Sequence, residues 1–97
     1  MKRTKLTDEE ISARLANLPG WKREGDKLVR GFRLGNFVEA FGWMTKIALV
    51  AERMDHHPEW RNVYDRVDVE LTTHDAGGIT ALDFELASKM NEFSAGK

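Results

Sequence analysis

The stretch Asp55-His56-His57-Pro58-Glu59-Trp60 divides the chain into a helix-patterned part and a strand-patterned part. The run before it, residues 37–54, is apolar at helical spacing. Pro58 cannot continue that helix, and its ring disfavours helical geometry at the residue before it. The sequence therefore predicts a helical His56 beside an extended His57. Neighbouring side chains on one helix diverge by about 100°, whereas this break would let both rings face one pocket.

Before this stretch, the sequence predicts a helix and then a hairpin. A capping-box pattern that begins at Thr7 predicts a first helix over residues 8–18. Residues 21–24 and 28–34 are strand candidates, and Gly25-Asp26 between them is a dipeptide suited to a tight turn.

The second helix should begin after Asn36, a good N-cap, and end near His56. Projected at 100° per residue, it carries two apolar stripes. The first contains Phe37, Phe41, Met44, Ala48 and Ala51. The second contains Trp43, Ile47, Val50 and Met54. One apolar stripe is enough to dock the helix on a sheet. We therefore expect the second stripe to be either additional core or a subunit interface. As an interface, it would be exposed to water in the absence of a partner subunit.

The part after the histidines alternates between apolar and polar side chains over residues 62–74, which predicts strand, with a possible break near Asp65. The side chains predicted on one side of this strand are Val63, Val67, Val69, Leu71 and Thr73. Gly77-Gly78 then turns the chain, and Thr80 followed by Asp83 indicates the start of a third helix. The whole pattern predicts one α+β domain over residues 1–97, in the order α-β-β-α-β-β-α. We expect an antiparallel sheet of about four strands with three helices on one face.

Composition excludes several classes of protein. The 97 residues include 15 basic and 16 acidic side chains, interspersed and with a net charge of -1, which argues against direct binding to nucleic acid through phosphate contacts. The absence of cysteine excludes disulfides and thiolate metal sites. No signal peptide or membrane span is visible, so we expect a cytoplasmic protein that does not bind membranes. Self-association is favoured because so small a domain leaves much apolar surface exposed.

The candidate functional residues are His56, His57 and His74, all predicted at polar ends of elements and outside the core. A lone histidine is more often a surface or satisfied core residue, but three at segment ends indicate proton chemistry near neutral pH. Glu52 lies one helical turn before His56, and Asp55 precedes it directly; either carboxylate could instead pair with a basic neighbour. These acids and the helix C-terminus favour a protonated His56, which would suit a general acid.

Two other features have alternative interpretations. Trp21 and Trp60 lie at segment edges, where they could cap the small core or form a flat slot for a planar heterocycle. The histidines with Asp55 could also bind zinc. However, the helical spacing His-x-x-x-His is absent and adjacent histidines chelate poorly, so we expect no metal.

Several of these residues form a pattern with defined spacing that begins Glu52-x-x-x-His56-His57-Pro58. Five residues then separate Pro58 from Tyr64, nine separate Tyr64 from His74, and eight separate His74 from Asp83. This spacing resembles the signature of pterin-4a-carbinolamine dehydratases. Flanking segments agree, among them Gly20-Trp21, Ala40-Phe41-Gly42, Asn62-Val63-Tyr64 and Leu86-Ala87-Ser88. The resemblance extends over about residues 20–93.

The resemblance implies an enzyme, a hydro-lyase that dehydrates 4a-hydroxytetrahydropterin to the quinonoid dihydropterin. It also implies recycling of the pterin used by aromatic amino-acid hydroxylases, without a metal or cofactor of the enzyme's own. By resemblance, the catalytic residues are His56, His57 and His74. The implied substrate-binding residues are Asp55, Thr72, Thr73, Glu52, Trp21, Trp60 and Asp83.

The family also implies a homodimer made by joining sheet edges, or a homotetramer. Its animal members have a second role in dimerising a homeodomain transcription factor, so a non-catalytic dimerisation or coactivator module is one alternative. A pterin-binding protein whose activity has been lost or redirected is another.

Overall fold

The computed structural model describes residues 3–95, so the first two and last two residues of the predicted 1–97 domain lie outside it. The elements are α1 (Asp8–Leu15), β1 (Lys22–Glu24), β2 (Lys27–Arg33), α2 (Phe37–Met54), β3 (Glu59–Val63), β4 (Arg66–Leu71) and α3 (Ala81–Ser94). A short 3-10 turn, His74–Ala76, lies between β4 and α3. The predicted α+β fold and its order of elements are confirmed.

The four strands found within residues 3–95 form one antiparallel sheet in the order β1-β2-β4-β3. Alternation along the strands gives the sheet an apolar face and a charged face. The apolar face contains Leu28, Phe32, Val67, Val69 and Leu71, all buried, and it joins residues of α1, α2 and α3 in one core. Charged side chains such as Arg61, Arg66 and Glu70 lie on the other face.

Two-residue turns close both hairpins of the sheet. The predicted turn at Gly25-Asp26 is present, with Gly25 at φ +61. The predicted break near Asp65 is also present, and Tyr64 adopts φ +52 there. The Asn62 amide stabilises this turn by donating to the Tyr64 and Arg66 carbonyl oxygens at 3.1 and 2.9 Å.

Two predictions about these strands were wrong. β3 begins at Glu59, not at Asn62, so part of the histidine-containing stretch is itself strand. Val63, predicted on the same side as Val67, is exposed. The cause is that the two-residue turn reverses the chain, so that Val63 pairs with Arg66 and faces outward with it.

The first helix is shorter than predicted, because it ends at Leu15 and not at Leu18. The chain tightens there into turns whose amides bond three residues back, Asn17 to Arg14 at 3.1 Å and Leu18 to Leu15 at 3.0 Å. These turns carry Leu18 into the core.

Of the two alternatives for the second stripe, additional core is confirmed and exposure to water is wrong, because Trp43, Ile47 and Val50 are buried. The Trp43 ring lies 4.6 Å from that of Phe32 on the sheet, and its Nε1 donates to the Met90 carbonyl of α3 at 3.2 Å. α2 therefore packs against both the sheet and α3, and its buried arc is centred on the second stripe.

The exposed apolar side chains of α2 are instead Phe37, Val38, Phe41 and Leu49, from 50% to 77% accessible. We call these four residues the outer α2 face. Within residues 3–95, no helix, including α2, is long and apolar enough to cross a membrane.

Candidate active site

The C-terminal end of α2 places the two adjacent histidines. Asp55 adopts the left-handed conformation, at φ 52 and ψ 44, and its amide bonds to the Glu52 carbonyl at 3.1 Å. The His56 amide bonds to the Ala51 carbonyl at 3.0 Å. These two bonds form a Schellman motif, in which a left-handed residue ends the helix and satisfies its last carbonyls. The helix therefore ends at Met54, and the prediction of a helical His56 was wrong.

A cavity of about 200 Å³ lies beside this helix end. It is lined by Arg3, Asp55, His56, His57, Thr72, Thr73, His74 and Asp75. The end of α2 and the end of β4 with its following turn thus bring all three histidines to one cavity. Asp55, Thr72 and Thr73 line the same cavity. Thr72 also fixes the cavity wall to the β1-β2 turn, because its hydroxyl donates to the Asp26 carbonyl at 2.7 Å.

His56 and Asp83 of α3 form a buried pair with the geometry of an ion pair. Its Nε2 lies 2.6 Å from Asp83 Oδ1, and the two side chains are only 6% and 0% exposed. The expectation that His56 lies outside the core was therefore wrong. Asp83 Oδ2 accepts from the Thr73 hydroxyl and from the Thr80 amide, both at 2.9 Å. Asp83 does not line the cavity, but it holds His56 in place from beneath and belongs to the capping box of α3.

The other two histidines pair with carboxylates at the surface. His57 Nε2 lies 2.8 Å from Glu52 Oε1, and His74 Nε2 lies 2.9 Å from Glu59 Oε2. His74 is 79% exposed at its side chain, so these pairs contribute little to stability. Their effect is on ring orientation, because each carboxylate engages one ring nitrogen and leaves the other available to a ligand.

Neither predicted tryptophan lines this cavity. Trp21 is buried, with its Nε1 donating to Asn91 Oδ1 at 2.8 Å and its ring edge-on to Phe32 at 6.0 Å. Trp60 is half-buried, and its ring centroid lies 6.2 Å from that of Trp43. The structure thus places both indoles in or against the core.

Sequence reasoning missed three residues around the histidines: Arg3, Glu59 and Asp75. Arg3 lines the cavity and donates from Nη2 to the Asp55 carbonyl at 2.9 Å, and no sequence pattern indicated this contact. Asp75 also lines the cavity. Glu59 could have been found, because strand alternation from Glu59 onward would have put it on the face opposite Trp60, with Glu70 as its partner across the ladder.

Two further observations bear on the kind of site. In the part of the chain from Arg3 to Ala95, no three His, Cys, Asp or Glu side chains could together hold a metal ion. A larger groove, of about 530 Å³, lies elsewhere, between Arg14 of α1, Val50 of α2 and Phe84 of α3. It contains no histidine. We therefore take the smaller cavity as the candidate site, on its chemistry and not its size.

The chain is similar to proteins of one family. The family model described as Pterin 4 alpha carbinolamine dehydratase matches residues 4–93. A relative from Afipia carboxidovorans is 59% identical over 92 residues, covering 93% of this chain and 92% of its own. One from Mesorhizobium japonicum is 54% identical, covering 99% of this chain and 100% of its own. Both carry the provisional name pterin-4-alpha-carbinolamine dehydratase.

Two solved structures share the fold. The crystal structure of a transcriptional coactivator/pterin dehydratase from Brucella melitensis has a TM-score of 0.93 at 44% identity, covering 95% of this chain and 100% of that one. A pterin dehydratase-like protein, described as a RuBisCO assembly factor in the alpha-carboxysome, has a TM-score of 0.67 at 16% identity, covering 80% of this chain and 93% of that one. The second similarity shows the fold alone.

Proposed function

Because the chain belongs to the pterin 4 alpha carbinolamine dehydratase family, we propose that it removes water from 4a-hydroxytetrahydropterin to give the quinonoid dihydropterin. One observation carries this proposal: three histidines, each paired with its own carboxylate, meet at one cavity. The cavity is polar and open to solvent, which suits a small heterocycle with many hydrogen-bonding atoms.

The reaction needs two proton transfers on one substrate. A proton must reach the hydroxyl oxygen on C4a, so that it leaves as water when the carbon–oxygen bond breaks. Another must leave the neighbouring ring nitrogen, whose electron pair then forms the new double bond to C4a. An acid and a base on opposite sides of one small cavity can supply both, and such catalysis contributes about 10² to 10⁴ in rate.

We assign His56 as the acid, His74 as the base and His57 as the residue that orients the substrate. His56 suits the first role because its Nε2 is held at 2.6 Å by the buried Asp83 carboxylate, a charged partner for a protonated ring. His74 suits the second because it is exposed and paired through Nε2 alone. Asp55, Thr72 and Thr73 offer hydrogen bonds to the pterin ring from the cavity wall.

The same proposal assigns the protein to a cytoplasmic cycle that regenerates the pterin used by aromatic amino-acid hydroxylases. It requires no metal or cofactor, since both proton transfers are performed by side chains.

A direct assay tests this proposal. Chemically or enzymatically generated 4a-hydroxytetrahydropterin is followed by its absorbance during breakdown, with and without the protein. We expect faster breakdown with the wild type and a loss of at least about tenfold in His74→Ala. Glu24→Gln, which alters a carboxylate paired with Lys22 on β1, serves as the control with unchanged rate. No acceleration by the wild type, or unchanged rates in both His56→Ala and His74→Ala, would reject the enzymatic proposal.

The alternative, a non-catalytic dimerisation or coactivator module, draws support from the outer α2 face. Four exposed apolar side chains on one helix form a surface suited to association with another chain. We infer that this face contributes to a homodimer or homotetramer. The alternative differs from the enzyme in a simple way: it predicts association without acceleration of 4a-hydroxytetrahydropterin breakdown.

A further inference from the structure

Glu59 and Lys27 form a chain of contacts that leads from the charged face of the sheet to His74. Glu59 Oε2 lies 2.9 Å from His74 Nε2, and Glu59 Oε1 lies 3.0 Å from Lys27 Nζ. Lys27 Nζ also lies 2.6 Å from Glu70 Oε1. Each carboxylate oxygen of Glu59 thus has its own partner, which fixes the orientation of the carboxylate as well as its position.

The strand register explains why Lys27 is needed. Glu59 of β3 lies directly opposite Glu70 of β4, and like charges in directly opposite positions of an antiparallel pair repel each other. Lys27 extends from β2 to both carboxylates. Its hydrogen bond, with a further contribution from His74, holds the pKa of Glu59 below its ordinary value. The hydrogen bonds to Glu70 and Glu59 raise the pKa of Lys27. Glu59 is therefore ionised at neutral pH.

The ring of His74 is exposed on a three-residue turn, and Glu59 is the side chain that engages it. The other charged or titratable groups that line the same cavity are Asp75, next to His74 in the chain, and Arg3, Asp55, His56 and His57. An ionised Glu59 accepts a hydrogen bond, so a neutral His74 carries its proton on Nε2. Its Nδ1 is then the nitrogen with a free lone pair.

We propose that Glu59, held by Lys27, is a positioning residue that makes Nδ1 of His74 the proton-accepting atom of the dehydration. The proposal rests on the proposed function, because it concerns the base of that reaction. Glu59 acts in two ways. It selects the tautomer and orientation of the ring before the reaction, and it stabilises the imidazolium that forms when Nδ1 takes the proton from the substrate nitrogen.

The test uses three variants of the full chain: Glu59→Leu removes the hydrogen bond and the charge, Glu59→Gln keeps an acceptor oxygen, and Lys27→Met removes the cation. Nitrogen-15 NMR of the histidine rings at pH 8 reports the tautomer of His74. We expect an Nε2-protonated ring in the wild type and Glu59→Gln, and mixed tautomers in Glu59→Leu. We expect kcat to fall about tenfold in Glu59→Leu with KM changed less than about twofold, and to fall less in Glu59→Gln and Lys27→Met.

Three results separate this proposal from the one on which it rests. If His74→Ala lowers kcat while Glu59→Leu changes neither kcat nor the tautomer, Glu59 has no positioning role and the proposed function stands. A rise in KM alone would also overturn the proposal. It would mean that the loss of the Glu59 contact weakens substrate binding without slowing the chemical step. If the wild type has no dehydratase activity, the proposed function fails. A wild-type His74 ring that is protonated on Nδ1 would on its own reject the positioning role of Glu59.

Discussion

Replacing Asp83 by alanine should be among the most destabilising single changes in this chain. The Asp83 carboxylate is fully buried and has three partners: His56 Nε2 at 2.6 Å, the Thr73 hydroxyl at 2.9 Å and the Thr80 amide at 2.9 Å. Removing one partner of a buried ion pair costs about 3 to 5 kcal/mol, because the remaining charge is left without compensation. The free energy of unfolding of a domain is only about 5 to 15 kcal/mol in total. Asp83→Ala therefore removes about a fifth of the stability or more.

Urea denaturation followed by tryptophan fluorescence measures this loss. With an m value of about 1 to 3 kcal/mol per molar urea, a loss of 3 kcal/mol or more lowers the unfolding midpoint by at least about 1 M. Asp75→Ala is the matched control, because Asp75 is an exposed carboxylate beside the same cavity and should change the unfolding free energy by no more than about 0.5 kcal/mol.

A double-mutant cycle then identifies the source of the loss. His56→Ala should itself be destabilising, since it leaves the Asp83 charge buried, and the double variant should cost less than the two single variants added together, by about 1 to 3 kcal/mol. A loss below about 1 kcal/mol in Asp83→Ala, or strict additivity in the cycle, would refute the assignment of a charged, mutually dependent pair.

Three further outcomes are expected. Incubation with a strong chelator should leave dehydratase activity unchanged, and activity that is lost and then restored by zinc would revive a metal mechanism. Light scattering should show that the double variant Phe41→Glu, Leu49→Glu has a lower assembled mass than the wild type and keeps its fold. Ile47→Glu, in the buried stripe, should instead unfold the chain. A wild type that is monomeric at micromolar concentration would contradict the expected assembly. The pKa of Glu59 is depressed in the folded state, so Glu59 adds stability only while it is ionised. The stability difference between wild type and Glu59→Gln should therefore be present at pH 7 and vanish as the pH falls through that depressed pKa. Urea unfolding midpoints from pH 7 to 3 measure this difference. A difference that does not become smaller between pH 7 and pH 3 would mean that the contribution of Glu59 is not electrostatic.

Much of the fold could be predicted because its signals are local. The capping boxes at Thr7 and Thr80, the N-cap at Asn36 and the turn at Gly25-Asp26 all depend on residues a few positions apart, and all are present. Periodicity then gave the type of each element. Local signals were less reliable at element ends, where the left-handed Asp55 ended α2 before the prolyl ring could do so.

The burial of α2 could not be predicted, because hydropathy ranks side chains without knowing what they pack against. Both stripes of the helix are apolar, and the phenylalanines of the first made it the better candidate for the core. The buried stripe was decided by partners on other elements: Trp43 fits between Phe32 of the sheet and Met90 of α3. Phe37 and Phe41 lie on the side away from them, where their rings contact each other at 5.8 Å.

The histidines could be found from sequence, but their carboxylate partners mostly could not. Helix geometry indicated Glu52 as a neighbour of His56, but α2 ends at Met54 and Glu52 pairs with His57 instead. The pair of His56 with Asp83 spans 27 residues, and that of His74 with Glu59 joins the turn after β4 to the first residue of β3. Such pairs depend on how elements pack, and periodicity within one element carries no information about them.

The three pairs also differ in what holds them, and this difference matters for how the site would work. Asp83 belongs at once to the α3 capping box and to the contact with His56, so His56 can move only if the start of α3 moves as well. His57 and His74 lie at the surface, and each pairs with an exposed carboxylate that a substitution can remove without disturbing the core. Asp83 therefore fixes His56 from the core, whereas Glu59 contacts the exposed His74 ring from the edge of the sheet. Variants at Asp83 should change stability and activity together. Variants at Glu59 should change activity more than stability, with only a small stability difference that depends on pH.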